Sequence, residues 1–281
     1  MNKQLKLFLF SVLFLCSCGV NYRLNQAKKL EEKGYYIDAI KKYLEINKKY
    51  ENTLSGARAL YDAARIYHRK LKVYFESEKL YNSIINKYSK SDKFKEIVKL
   101  AKIGIFDSPN YFPFGNGSIW VEGDSETGGK NMRIEWLCVE ISTYTHCLIQ
   151  KKFLAGKKFV TQFKRYYTKE EFQLRESLEK MSSTYTVLLY YPFEIGKTWI
   201  TESDGRKIEL TIVSNDAEVK THAGVFKGCL KIKEVDLKFP QACKYEYYAP
   251  EVGHILTTIS AVNSKREYRN NELIYYKISS E

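Results

Sequence analysis

Thiols are the groups in this sequence best equipped for chemistry, and it holds six of them. Cys138, Cys147, Cys229 and Cys243 lie well inside the chain. In an oxidising compartment they can pair by three connectivities. The local one, Cys138–Cys147 with Cys229–Cys243, is favoured. If residues 133–149 form a hairpin turning at Ser142-Thr143, then Ile141 faces Tyr144 and Cys138 falls opposite Cys147. Directly opposed Cβ atoms are ~5 Å apart, close to what a disulfide needs. Four free buried thiols are the alternative, and neither pair has the Cys-x-x-Cys spacing of a metal or redox site. Other reactive types are scattered. His68, His146, His222 and His254 show no ligand spacing. Gly123-Asp124-Ser125-Glu126-Thr127-Gly128-Gly129-Lys130-Asn131 approaches a phosphate loop, but its lysine is one place late and it sits between predicted strands, with no helix N-terminus behind it. Glu170-Glu171 reads as a helix start. No catalytic constellation, metal site or cofactor is expected.

The N-terminus carries a different signal. Lys3 and Lys6 form a basic head, and the apolar run from Leu7 to Leu15 is too short to cross a ~30 Å hydrocarbon core, so residues 1–17 read as an export signal. Leu15-Cys16-Ser17-Cys18 resembles a bacterial lipobox. The resemblance implies that Cys18 becomes the N-terminal residue and carries a diacylglyceryl thioether; an ordinary secretory signal is the alternative. Gly19 after it, in place of aspartate, resembles lipoproteins sent to the outer membrane. Removing residues 1–17 takes two of the 46 basic residues and none of the 33 acidic ones, which leaves a net charge of +11. The lysines are dispersed and no nucleic-acid-binding motif is present, so lipid or protein partners are expected, not nucleic acid.

Apolar residues from Gln26 to Ile46 recur at helical spacing, broken at Gly34. Tyr36, Ala39, Tyr43, Ile46 and Tyr50 are matched 38 positions later by Tyr74, Ser77, Tyr81, Ile84 and Tyr88. This pattern resembles the tetratricopeptide repeat, a stack of antiparallel helix pairs, and in particular the helical lipoprotein of the outer-membrane β-barrel assembly machinery. The second unit departs at its turn, where Lys70-Leu71-Lys72 replaces glycine. Residues 91–105 read as a fifth helix. The tyrosines are expected between helices, with their hydroxyls reaching the surface. The organisation that follows is a signal over 1–17, a lipidated tether over 18–22, helical repeats over 23–106, a linker at 107–110 and a β-domain over 111–281.

Beyond Asp107-Ser108-Pro109-Asn110 the apolar period becomes two, as in Ile208, Leu210 and Ile212. Strands are predicted at 117–122, 133–141, 144–149, 158–167, 184–190, 198–202, 207–212, 226–234, 243–249 and 255–262. Asp204-Gly205 marks one two-residue hairpin, and Asn270-Asn271 another between 264–269 and 272–278. Thr168-Lys169-Glu170-Glu171 reads as a capping box opening a short helix through Met181. Pro113-Phe114-x-x-Gly117-x-x-Trp120 is echoed by Pro192-Phe193-x-x-Gly196-x-x-Trp199. His222-Ala223-Gly224-Val225-Phe226-Lys227-Gly228-Cys229-Leu230 and Tyr247-Tyr248-Ala249-Pro250-Glu251-Val252-Gly253 resemble phrases of uncharacterised bacterial exported domains, which carry no assigned chemistry. The fold class is α + β multidomain: tetratricopeptide-like helical hairpins, then an antiparallel β-rich domain curled into a curved sheet or half-barrel. The expected function is that of a non-enzymatic, membrane-anchored scaffold that docks a protein partner through its repeats, in outer-membrane assembly or maintenance. A lipid or hydrophobic-ligand carrier is the alternative, and a hydrolase the third.

Overall fold

A computed structural model describes residues 19–143, 145–261, 264 and 266–279. The chain divides between Pro109 and Asn110 into a helical unit and a β unit. Cys18, with residues 1–17, lies outside the described residues.

The helical unit contains α1 (residues 19–32), α2 (Tyr36–Lys49), α3 (Leu54–Ile66), α4 (Tyr74–Tyr88) and α5 (Lys95–Phe106). Its core follows the sequence pattern. Ala27, Ala39, Ala59 and Ala63 are fully buried, which lets the helices approach closely, and Ile40, Tyr43, Ile46 and Ile66 fill the space between them. Gly104 on α5 serves the same purpose: a Cβ there would come within 2.4 Å of the Tyr81 ring. The 38-residue offset holds in the backbone, because α2 starts at Tyr36 and α4 at Tyr74. Gly34 turns the first helix pair at φ +79°, and Lys72, its counterpart 38 residues on, turns the second at φ +56°. A π-helical turn, Tyr67–Leu71, leads into that lysine. Two expectations are corrected. Residues 19–22 are no tether but the first turn of α1, because Val20 and Leu24 continue the apolar stripe of Ala27 into the core. The hydroxyls of Tyr43 and Tyr88 do not simply reach solvent; they donate to Glu31 at 3.3 Å and to the Glu51 carbonyl at 2.6 Å.

Twelve antiparallel strands make the β unit. The first six are β1 (Ile119–Asp124), β2 (Met132–Thr143), β3 (His146–Ala155), β4 (Lys158–Glu170), β5 (Gln173–Ser177) and β6 (Thr186–Tyr190). The second six are β7 (Thr198–Ser203), β8 (Arg206–Thr221), β9 (Gly224–Asp236), β10 (Ala242–Ala249), β11 (Gly253–Ala261) and β12 (Tyr268–Lys277). Their order, β6-β5-β4-β3-β2-β1-β12-β11-β10-β9-β8-β7, is two six-strand meanders joined where β1 pairs with β12. The free edges meet through side chains. The Thr201 hydroxyl accepts the Val187 N–H at 2.7 Å and the Trp199 indole donates to the Val187 carbonyl at 3.0 Å, so the sheet nearly closes into a barrel. The echoed Pro-Phe-x-x-Gly-x-x-Trp phrases open the two meanders: Trp120 and Trp199 are each the second residue of their strand, after Gly117 at φ +78° and Gly196 at φ +90°.

The Asp204-Gly205 hairpin forms as expected, with both residues at positive φ and Ser203 paired to Arg206. Three other local readings fail. No helix follows Thr168; β4 continues to Glu170, reverses at Glu171-Phe172 with both φ values positive, and returns as β5. Tertiary pairing overrides the capping-box pattern there, since Thr168 and Lys169 are held between β3 and β5 or the turn beside it. Asn270-Asn271 is no turn but the interior of β12, where Asn271 pairs with both Asp124 and Thr257. The β2–β3 hairpin forms in a different register: Ile141 faces Cys147 and Cys138 faces Ile149, with two irregularities in the ladder.

Candidate functional site

The inside of the barrel is where this chain concentrates buried charge. The ladders place Trp120 beside Trp136, Trp136 beside Lys151, and Tyr167 beside Glu176 on one face of the sheet. On the other meander the same face carries Glu234 beside Lys244, and Glu246 beside Thr257. That these residues point inward follows from their mutual influence: the Tyr248 phenol on β10 feels the carboxylates of Glu176 on β5 and Glu122 on β1.

His254 is the centre of the network. Its Nδ1 lies 2.7 Å from Glu122 Oε1 and its Nε2 lies 2.7 Å from Glu246 Oε2. Both carboxylates are held in turn. Asn271 donates to Glu122 Oε2 at 2.8 Å, Thr257 donates to Glu246 Oε2 at 2.6 Å, and Lys244 lies 2.7 Å from Glu246 and 3.0 Å from Glu234. Burial alone would lower the His254 pKa, but Glu122 and Glu246 outweigh it and raise it to about 10. Burial alone would raise Glu246, yet His254 and Lys244 bring it down to about 2. Lys244, whose side chain is only partly covered, is held above its ordinary range by Glu246 and Glu234, which outweigh that desolvation.

A second cluster sits on the facing wall. Tyr167 donates to Glu176 Oε2 at 2.6 Å, Arg165 lies 3.3 Å from Glu176, and Lys151 lies 3.5 Å from it while resting on the Trp136 ring at 3.8 Å. Burial pulls the Lys151 pKa down, partly offset by Glu176 and Glu122. Four carboxylates, Glu122, Glu176, Glu234 and Glu246, are thus balanced by Lys151, Arg165, Lys244 and the His254 imidazolium. Phe112 packs along the first meander, stacking on Tyr167 at 5.0 Å and Trp120 at 6.4 Å. Beside Glu234, Lys244 and Glu246 lies a cavity of about 270 Å³. It shares Thr186, Ser203 and Asp204 with a wider cleft of about 440 Å³ that also touches Arg165, Glu176 and Tyr185.

Chemically, the arrangement sets each buried carboxylate against a cation or a hydrogen-bond donor. Thr257, His254 and Glu122 have the spacing of a nucleophile, base and orienting acid, with Thr257 Oγ1 3.2 Å from His254 Nε2. An imidazolium that gives both protons to carboxylates cannot take one from the Thr257 hydroxyl. Among the described residues no group of three or more His, Cys, Asp or Glu is placed to hold a metal ion.

The thiols divide. Cys138 and Cys147 are both buried and their sulfurs meet at 2.7 Å. Cys229 and Cys243 are corrected: β9 pairs Leu230 with Tyr248 and Glu234 with Lys244, which sets the two cysteines at opposite ends of that ladder. At ~3.4 Å per residue they are separated by roughly 20 Å, beyond the reach of a disulfide. Burial pushes the Cys229 thiol up to about 12. The glycine-rich loop after β1 turns its amides on its own aspartate: Thr127, Asn131 and Met132 N–H groups all donate to the Asp124 carboxylate, at 2.9, 3.3 and 3.0 Å. No phosphate cradle is left. His222 pairs with Glu272 at 2.6 Å, and His146 Nδ1 lies 2.7 Å from Thr145. His254 alone among the histidines joins the inner network. Sequence reading missed that network, although Lys244, Glu246 and Tyr248 mark it as a polar stripe of period two.

No protein-family model matches this sequence, and no curated protein matches it. Among solved structures it is similar to a candidate lipoprotein from Parabacteroides distasonis, at 14% identity and a TM-score of 0.40, over 59% of this chain and 98% of that one.

Proposed function

We propose that this chain is a lipid-anchored protein of the bacterial cell envelope, held at Cys18, that acts without catalysis as an adaptor for a protein partner. The observation that carries the adaptor reading lies in the repeats. Each second helix begins with the same exposed apolar pair: Tyr35 and Ile37 at α2, 58% and 53% exposed, and Val73 and Phe75 at α4, 42% and 75% exposed. Both pairs obey the 38-residue offset, so the repeat reproduces an outward feature as well as its core. Solvated helix ends do not need this, and protein-docking surfaces use it. The lipid anchor rests on the lipobox resemblance, and the outer membrane on Gly19. Photo-crosslinkers placed at Ile37 and Phe75 in cells should trap one common species, absent with a crosslinker at exposed Lys79 and lost on Phe75→Glu. Different species at the two sites, or none, would sink the adaptor. Cys18→Ser should abolish lipid labelling and membrane fractionation.

The open cavity favours a second reading, ligand carriage, and its walls specify the ligand. Paired carboxylates and ammonium groups oppose a lipid tail, since each buried charge needs its partner. A small polar ligand with both charges suits Glu234, Lys244 and Arg206 better. Native mass spectrometry of the delipidated chain distinguishes the readings: a reproducible small polar adduct favours carriage, and an empty barrel favours the adaptor.

A further inference from the structure

We infer that the end of the helical unit bearing Gly19 is a docking face for an anionic lipid surface, read through its phosphate head groups. The inference deepens the anchored reading above and rests on it for the location of the membrane. Three observations carry it.

The first is the missing spacer. Helix α1 already includes residue 19, and Val20 is buried in the unit's core, so acylation at Cys18 leaves no free chain between the bilayer and the first helical turn. Whatever surrounds that turn must lie at the head groups.

Second, the surroundings are fixed by the fold. Because the helices alternate in direction, the start of α1, the end of α2, the start of α3 and the end of α4 share one end. Asn47 donates to the Gly56 carbonyl at 2.9 Å, Tyr88 donates to the Glu51 carbonyl at 2.6 Å, and Lys93 donates to the Asn52 carbonyl at 3.2 Å. Gly19 itself lies against Tyr50, whose hydroxyl would be 3.9 Å from an added Cβ.

Third is the charge. This end, taken as residues 19–23, 47–55 and 86–96, carries seven basic residues, Arg23, Lys48, Lys49, Lys87, Lys90, Lys93 and Lys95, against the three acids Glu51, Asp92 and Glu96. All seven basic side chains belong to exposed residues. The opposite end, residues 29–38, 66–76 and 102–109, is nearly balanced, with six basic residues against five acidic ones. Tyr22 and Leu54, 65% and 52% exposed, add an aromatic and an aliphatic group to the basic face, the mixture that settles at a head-group boundary. One acyl-bearing residue plus a basic patch is a two-signal membrane contact, and the patch acts only within a Debye length of ~8 Å, which the absent spacer guarantees.

The test removes the lipid and keeps the face. The chain from residue 18 onward, bearing Cys18→Ser, is sedimented with vesicles of pure phosphatidylcholine and of phosphatidylcholine mixed with phosphatidylglycerol. Binding to the mixed vesicles alone, weakened by added salt, is expected. The quadruple variant Lys48→Glu, Lys49→Glu, Lys90→Glu, Lys93→Glu should bind roughly a thousandfold less, while Lys29→Glu, Lys33→Glu, Lys70→Glu, Lys72→Glu at the other end should bind as the parent does. Should the first variant misfold, amine labelling of the parent still decides: Lys48, Lys49, Lys90 and Lys93 become protected on adding the mixed vesicles, and Lys29 and Lys33 do not. No preference for anionic vesicles, equal loss in both variants, or uniform protection would each overturn the inference. Acylation is tested separately by the intact mass of the envelope protein, so the two failures cannot be confused.

Discussion

His254 shows how one side chain can tie the two meanders together across their junction. It joins β11 to Glu122 on β1 and Glu246 on β10 with two 2.7 Å contacts, and removing one partner from such a buried set strands the others. His254→Gln is therefore expected to cost about 3–5 kcal/mol, measured by urea unfolding. The pH dependence follows from the two shifts. The folded pKa of His254, about 10, lies above its ordinary 6.5, so its contribution is complete below about pH 6.5 and fades as the pH climbs through 10. Glu246 runs the other way: lowered from 4.5 to about 2, it contributes fully above about pH 4.5 and loses its part as the pH falls through 2. Wild-type stability should thus be greatest near pH 5–6, and His254→Gln should flatten the alkaline limb; an unchanged limb would refute the assignment. The thiols give a sharper residue-scale expectation. Protein folded in an oxidising compartment should lack two hydrogens and yield a peptide cross-linked between Cys138 and Cys147, with Cys229 and Cys243 alkylated as free thiols. Four alkylated cysteines would contradict it. The sequence placed Cys138 and Cys147 on neighbouring strands of one hairpin, but the ladder irregularities that bring their sulfurs together were invisible in it. His254 was passed over for a related reason: its partners Glu122 and Glu246 lie 132 and 8 residues away, and no local spacing reveals the first.

Elements were more legible where side-chain period and turn chemistry agreed. The 38-residue repeat announced α2 and α4 because burial alone selects those positions, and Asp204-Gly205 announced its hairpin because both residues tolerate positive φ. Reading failed where local preference and tertiary pairing conflict. Glu171 and Phe172 adopt φ values of +48° and +62°, which neither residue favours, because β4 and β5 must reverse there to fill the sheet. Asn270-Asn271, a good turn by composition, is drawn into β12 instead. The repeat units offer a matched test of such backbone strain. Gly34→Ala should destabilise the helical unit by about 1 kcal/mol or more, since φ +79° is open to glycine at little cost. Lys72→Gly, at the corresponding bend of the second unit, should do no harm or add a little stability. Thermal melts of the two variants would decide, and equal destabilisation would show that the bends are not equivalent.

At the scale of the whole β unit, the echoed tryptophan phrases turned out to mark the starts of two half-barrels, a symmetry the sequence contained but could not interpret. A curved sheet was foreseeable from period-two strands; near-closure was not, since it depends on Thr201 and Trp199 meeting Val187 across the seam. Replacing Thr201 with Val removes one of those bonds and leaves the Val187 amide without its acceptor, a loss of about 1–2 kcal/mol. Hydrogen exchange should then quicken at Val187 and its β6 neighbours while β1 and β12 stay protected; uniform acceleration would mean the seam is not a separate opening. The opposite junction has a different character. There the earliest strand of the unit is zipped to its latest, β1 to β12, along the backbone. A polypeptide that stopped short of Tyr268 would keep the first meander and five strands of the second yet expose the raw margins of β1 and β11, and such bare margins recruit other copies of the same chain. Covering those margins thus falls to β12, the last strand of the second half to be made.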